Sequence, residues 1–167
     1  MRLISRTLDQ IPSPISSADD LLRQYQGGRP VLDCSQGAPA YPTAPEIAAR
    51  IASVAASPDG GKYTTRPGLY RLRELLAAEI SEAYCGTVNP EQVLITAGCN
   101  EAFCVTVSTL ADHGDSIILT VPYYFNHDMW LRLDRMSPIY LPCTSQCLPD
   151  PAVAAGLITE STRAIVS

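Results

Sequence analysis

The sequence predicts an α/β fold with a mostly parallel sheet, on two observations. The runs VLIT (93–96), SIILTV (116–121), PIYLP (138–142) and RAIVS (163–167) are short and mostly apolar, and helical patterns at 100–111, 125–136 and 151–157 separate the last three and follow the first. Parallel strands need crossover connections and are buried on both faces, so they read as near-continuous apolar runs with helices between them. Hydrophobic residues make up 46% of the 167 positions and charged ones 17%, enough apolar surface for one ordinary domain to fold around a core.

The elements follow in chain order. Residues 1–16 carry Pro12 and Pro14, which restrict the backbone, and are expected as an irregular arm. Ser17 and Asp20 stand at capping-box spacing for a short helix that stops at Gly27 and Gly28, and VLDC (31–34) reads as a brief strand. Residues 1–30 are thus taken as arm and short helix, and 31–167 as the domain. Thr43 and Glu46 repeat the capping-box spacing before a helix with Ile47, Ile51 and Val54 on one face, ending ahead of PDGG (58–61). Leu69, Leu72, Leu76, Ile80 and Ala83 recur at helical intervals and predict an amphipathic helix over 69–84.

Charge and composition exclude several function classes. A net charge of −5 and a pI near 4.9 oppose a nucleic-acid surface, which needs clustered Lys and Arg. No stretch approaches the roughly 18 apolar residues that span a bilayer, and residues 1–14 lack the apolar run of a signal peptide, so a soluble cytoplasmic protein is expected. Six cysteines are expected as small buried hydrophobes; Cys143 and Cys147 lack a second pair and nearby histidines, so no metal site is expected.

Three segments bear on chemistry. In TAGCNEAF (96–103) a glycine joins a predicted strand to a helix, leaving backbone N–H groups pointing beyond the strand's carboxyl end. Such a terminus suits phosphate, although alone it is more often a tight connection. VPYYFNH (121–127) places Tyr123 and Tyr124 at the same kind of edge, where ligands of open α/β sheets bind; an aromatic there either faces a flat ring or caps the core. The third segment is GGKYTTRPGLYRLRELLA (60–77).

Taken in order, these pieces resemble the class I/II aminotransferases of fold type I, which depend on pyridoxal phosphate. The resemblance rests on the loop QGAPAYPTAPEI, on Tyr63 ahead of Gly68, Leu72 and Arg73, and on Gly98, Glu101 and Ala102. It continues through Gly114 and Asp115 to Pro122, Tyr123 and Tyr124, and covers roughly residues 31–167. It implies an incomplete three-layer large domain preceded by a small-domain segment. It further implies that backbone N–H groups around Gly98, Cys99 and Asn100 hold the cofactor phosphate and that Tyr124 stacks on the pyridine ring. Gly37 would admit the substrate carboxylate to a backbone N–H, and Tyr63 would reach the phosphate of a neighbouring subunit's cofactor in a homodimer. The implied substrates are an amino acid and a 2-oxo acid.

The family's chemistry needs a lysine bonded to the cofactor and a carboxylate on the pyridinium nitrogen. Lys62 is the sole lysine and reads as a solvated turn residue; Asp115 reads as part of a turn, and His113 and His127 as surface or helix-start residues. In the family, a strand ending like RAIVS precedes an Asn-Pro-Thr-Gly element, an Asp, a Tyr, a Ser-x-x-Lys segment and an Arg, none of which follows here. No catalytic residue is therefore assigned, and the chain is expected to be an N-terminal portion, inactive alone. The alternative is a non-catalytic phosphate-binding or dimerisation module derived from the same family.

Overall fold

The computed structural model describes residues 5–8 and 10–167. In chain order these form α1 (Ser5–Leu8), α2 (Pro14–Gln24), α3 (Pro45–Ala55), α4 (Tyr70–Ala83), a 3-10 turn (Pro90–Gln92) and α5 (Cys99–Leu110). Then come β1 (Ser116–Val121), α6 (Phe125–Leu133), β2 (Ser137–Pro142), α7 (Pro151–Leu157) and β3 (Thr162–Val166). The chain divides into two compact units, one of Met1–Ser35 with Ala97–Ser167 and the other of Gln36–Thr96.

The first unit is organised by its sheet, of order β2-β1-β3 with both pairings parallel. Side chains alternate across a strand, and each face of β1 meets its own cluster. Ile117 and Leu119 pack with Val107 of α5, Leu131 of α6 and Met136, whereas Ile118 packs with Leu141 of β2 and Ala154 of α7. Helices therefore cover both faces, in agreement with the predicted class. Asp128 of α6 is 1% exposed and is satisfied from two directions. Arg132 Nε, one helical turn on, and the Tyr140 hydroxyl of β2 both donate to its carboxylate, and Arg132 Nη2 donates to the Tyr140 hydroxyl at 2.7 Å. The turn into β1 uses Gly114 at φ +93°, while Asp115 accepts hydrogen bonds from Asp112 N and Arg163 Nε, each at 2.9 Å.

In the second unit α4 packs against the 3-10 turn. Arg73 is buried and donates to Pro90 O at 2.7 Å and Gly68 O at 3.3 Å. Gly68 has φ +97°, and a Cβ there would stand 2.6 Å from the Ile95 side chain, so this corner admits only glycine. α3 forms where its periodicity predicts, yet its apolar face is open within this unit, with Ile47 and Ile51 exposed at 56% and 61%.

Several expectations are corrected. VLDC and VLIT are not strands. An apolar run becomes a strand only by pairing, and Ile95 N instead donates to Pro67 O at 3.0 Å. Part of the predicted irregular arm is helical, in α1 and at the start of α2. Ser17 and Thr43 do not cap their helices: α2 and α3 begin at Pro14 and Pro45, because proline's fixed φ and missing N–H suit the first helical position. On α4 the buried positions are Arg73 and Ala77, while Leu69 and Leu72 are exposed. The cysteines are free, and Cys34, Cys85, Cys99 and Cys147 are exposed rather than buried.

The difference between these helices sets a prediction for urea unfolding. Leu131→Ala should cost about 2–5 kcal/mol because it opens a cavity beside β1. Ile47→Ala should lie within about 0.5 kcal/mol of the parent protein, as expected for an exposed site. A large loss for Ile47→Ala would show that the α3 face is covered in solution.

Candidate functional site

Two helix starts meet at the carboxyl end of β1. α5 is preceded by its N-cap Gly98, which has φ +87° and ψ +173°, a backbone region reserved almost entirely for glycine. Among the described residues, its chain neighbours aside, no atom lies within 4 Å of where a Cβ would stand, so glycine answers a conformational need rather than a steric one. Cys99 and Asn100 follow in the first turn and are exposed. The first N–H groups of a helix have no intrahelical acceptor; here the ladder starts with Ala102 N donating to Gly98 O at 3.3 Å. Glu101 turns back and accepts from Ala97 N.

β1 leads through Pro122 and Tyr123 to Tyr124, the residue that precedes α6. Tyr124 is 43% exposed. Its hydroxyl accepts from Asn126 Nδ2 at 2.8 Å and from Asn100 Nδ2 at 3.4 Å, so a residue of the α5 first turn touches the aromatic that opens α6. The ring stands edge-on to Phe125 at 5.2 Å and to His127 at 5.4 Å. His127 lies flat on Phe103 of α5 at 3.9 Å, and burial holds its imidazole below the ordinary value. A cavity of about 140 Å³ opens here, lined by Thr120, Pro122, Tyr123, Tyr124, His127 and Val166 among others.

Tyr123 has different partners. Its ring stacks on Tyr140 at 5.4 Å. Burial first, then its hydrogen bond with Tyr140 and the charge of Asp128, push its phenol up to about 12. Neighbouring tyrosines thus differ in kind: Tyr123 is locked into a polar cluster, and Tyr124 presents a ring at the sheet edge.

Gly98, Cys99, Asn100 and Tyr124 are brought together within the first unit. Gly37 and Tyr63 belong to the second. Gly37 lies in an irregular segment with open space around its Cα, and Tyr63 is fully exposed, next to Lys62, whose Nζ pairs with Asp59 at 2.7 Å. His113 is exposed and lies 3.5 Å from Asp134. Among the described residues no group of three His, Cys, Asp or Glu side chains could hold a metal, and no helix is long and apolar enough to cross a membrane. Sequence reading missed Asn126, the Phe103–His127 stack and the Asp128 cluster. The spacing of Asp128 and Arg132, four apart on a predicted helix, was an available signal for the last.

Comparison with known proteins places the chain in a family. The family described as aminotransferase class I and II matches residues 29–159. Aspartate aminotransferase of Thermotoga maritima is 31% identical over 98% of this chain, and glutamate-pyruvate aminotransferase AlaC of Escherichia coli is 31% identical over 72%. The solved structure of Thermus thermophilus aspartate aminotransferase with maleate superposes on the whole chain with a TM-score of 0.84 at 27% identity. The chain spans 44% of the length of the Thermotoga and Thermus proteins and 30% of AlaC. The helix-covered parallel sheet is accordingly part of a fold type I architecture, and the chain belongs to the class I and II aminotransferase family.

Proposed function

We propose that this chain carries the phosphate and ring-stacking corner of a pyridoxal-phosphate-dependent aminotransferase that moves an amino group between an amino acid and a 2-oxo acid. The observation that carries the reading is the contact between Asn100, in the first turn of α5, and Tyr124, at the start of α6. A phosphate group and an attached aromatic ring need those two functions side by side.

The residues present fit the non-covalent part of such a cofactor. The open space beside Gly98 and the N-terminus of a 12-residue helix favour a phosphate, since peptide dipoles aim partial positive charge at it. Backbone N–H groups of Gly98, Cys99 and Asn100 would hold it. Glu101 adds an opposing charge, moderated by its hydrogen bond from Ala97 N. Tyr124, partly exposed at the sheet edge, would cover one face of the ring. Pyridoxal phosphate, when bound, supplies the electron sink that labilises bonds at an amino acid's Cα. Gly37 would bring a backbone N–H to the substrate carboxylate, and Tyr63 would serve the phosphate of a neighbouring subunit in a homodimer.

The covalent part does not fit. The one lysine, Lys62, lies in an exposed turn paired with Asp59. That observation favours a second reading for the 167 residues acting alone, a phosphate-binding or dimerisation module without catalysis.

Two measurements check these assignments. Borohydride treatment of the chain with pyridoxal phosphate, followed by peptide mapping, should yield no stoichiometric adduct; an adduct on Lys62 with turnover would overturn the division between binding and chemistry. In equilibrium dialysis, Tyr124→Ala should weaken cofactor binding by about 1 kcal/mol, the scale of an aromatic stack, and Tyr123→Phe should do less. Reversed effects would exchange the roles of the two tyrosines.

A further inference from the structure

Tyr124 would be a poor platform if its ring were free to swing, and nothing in an aromatic stack fixes its direction. The hydroxyl supplies the missing constraint. A phenol oxygen accepts as well as donates, and two carboxamides converge on this one: Asn126 Nδ2 at 2.8 Å and Asn100 Nδ2 at 3.4 Å. They approach from different elements. Asn126 sits two residues beyond Tyr124 in the first turn of α6, and Asn100 is the second residue of α5. Residues two apart do not face each other on a regular helix. Tyr124 stands just outside α6 with extended backbone, φ −75° and ψ +115°, so the spacing of a regular helix does not govern this pair.

We propose that Asn126 and Asn100 are positioning residues that clasp the Tyr124 hydroxyl and so fix the plane of its ring relative to the α5 terminus. The clasp rests on the cofactor reading above and adds to it. The helix whose first N–H groups would take the phosphate also grips the aromatic that would cover the ring, so the two subsites move as one hydrogen-bonded unit. Asn126, with the shorter contact, carries more of the effect. Neither carboxamide needs to touch the cofactor, whatever the Asn100 backbone N–H does; each side chain acts through an oxygen that phenylalanine lacks.

That dependence makes a double-mutant cycle decisive. With the 167-residue chain, the dissociation constant for pyridoxal phosphate should rise about threefold to tenfold in Asn126→Ala, the scale of one lost hydrogen bond, and less in Asn100→Ala. In a Tyr124→Phe background the Asn126→Ala change should add less than about twofold. Asn126→Leu, which keeps the size and removes the donor, should behave as Asn126→Ala does. Equal losses with and without the Tyr124 hydroxyl, or no loss at all, would overturn the clasp. Tyrosine labelled with ¹³C at Cζ gives a second readout that needs no cofactor. The Tyr124 signal should move in Asn126→Ala, and a signal that does not move would overturn the clasp. If the unaltered chain binds no cofactor while that signal responds to Asn126→Ala, the clasp stands and the cofactor reading falls.

Discussion

Ile117, Ile118 and Leu119 are sealed from solvent on both faces of the sheet, and the position of the site follows from that. Each such side chain contributes about 1.5–3 kcal/mol on burial. Because alternate residues face opposite clusters, a shift of β1 by one residue would exchange both sets at once. The register with β2, Ser116 opposite Ser137 through Val121 opposite Pro142, is therefore held by packing on two sides. With β1 fixed, its carboxyl end delivers Pro122, Tyr123 and Tyr124 to one place, beside the start of α5.

The Asp128 cluster secures the corner that β1 leads into. A carboxylate so deeply buried is costly unless its oxygens are satisfied, and Arg132 and Tyr140 satisfy them from α6 and β2. Removing the carboxylate would take the acceptor from both donors. Tyr123 belongs to this cluster through its stack on Tyr140, and its raised phenol shows how strongly the neutral form is favoured there. The folded value lies above the free phenol value of about 10. The stability it contributes is thus complete below about 10 and is lost as pH rises toward about 12. One tyrosine anchors the loop so that the next can be presented.

Much of this was legible. SIILTV, PIYLP and RAIVS announced the parallel sheet because strands buried on both faces have continuous apolar sequences, and Gly98 and Tyr124 stood out by lying beyond such strands or next to helix starts. VLDC and VLIT misled because their composition matches a strand while pairing is a tertiary fact. The capping-box spacings at Ser17 and Thr43 misled because Pro14 and Pro45 offered competing starts. Asn126 was not legible, since its contact with Tyr124 depends on the extended backbone of that residue. Tyr140 was not legible as a partner of Asp128 for a related reason: it stands 12 positions further on, in β2, past the end of α6 and a turn. The amphipathic face of α3 was correctly periodic, but periodicity does not say what covers it.

On the proposed reading, the phosphate and ring functions meet at the starts of α5 and α6, independently of any covalent lysine. Amide and side-chain NMR shifts of the isotope-labelled chain, followed during titration with pyridoxal phosphate, test it most directly. Saturable changes are expected to concentrate at the Gly98, Cys99 and Asn100 amides and the Tyr124 ring, with the Lys62 side chain unchanged. Saturable changes centred on Lys62, or none at Gly98–Asn100, would contradict it.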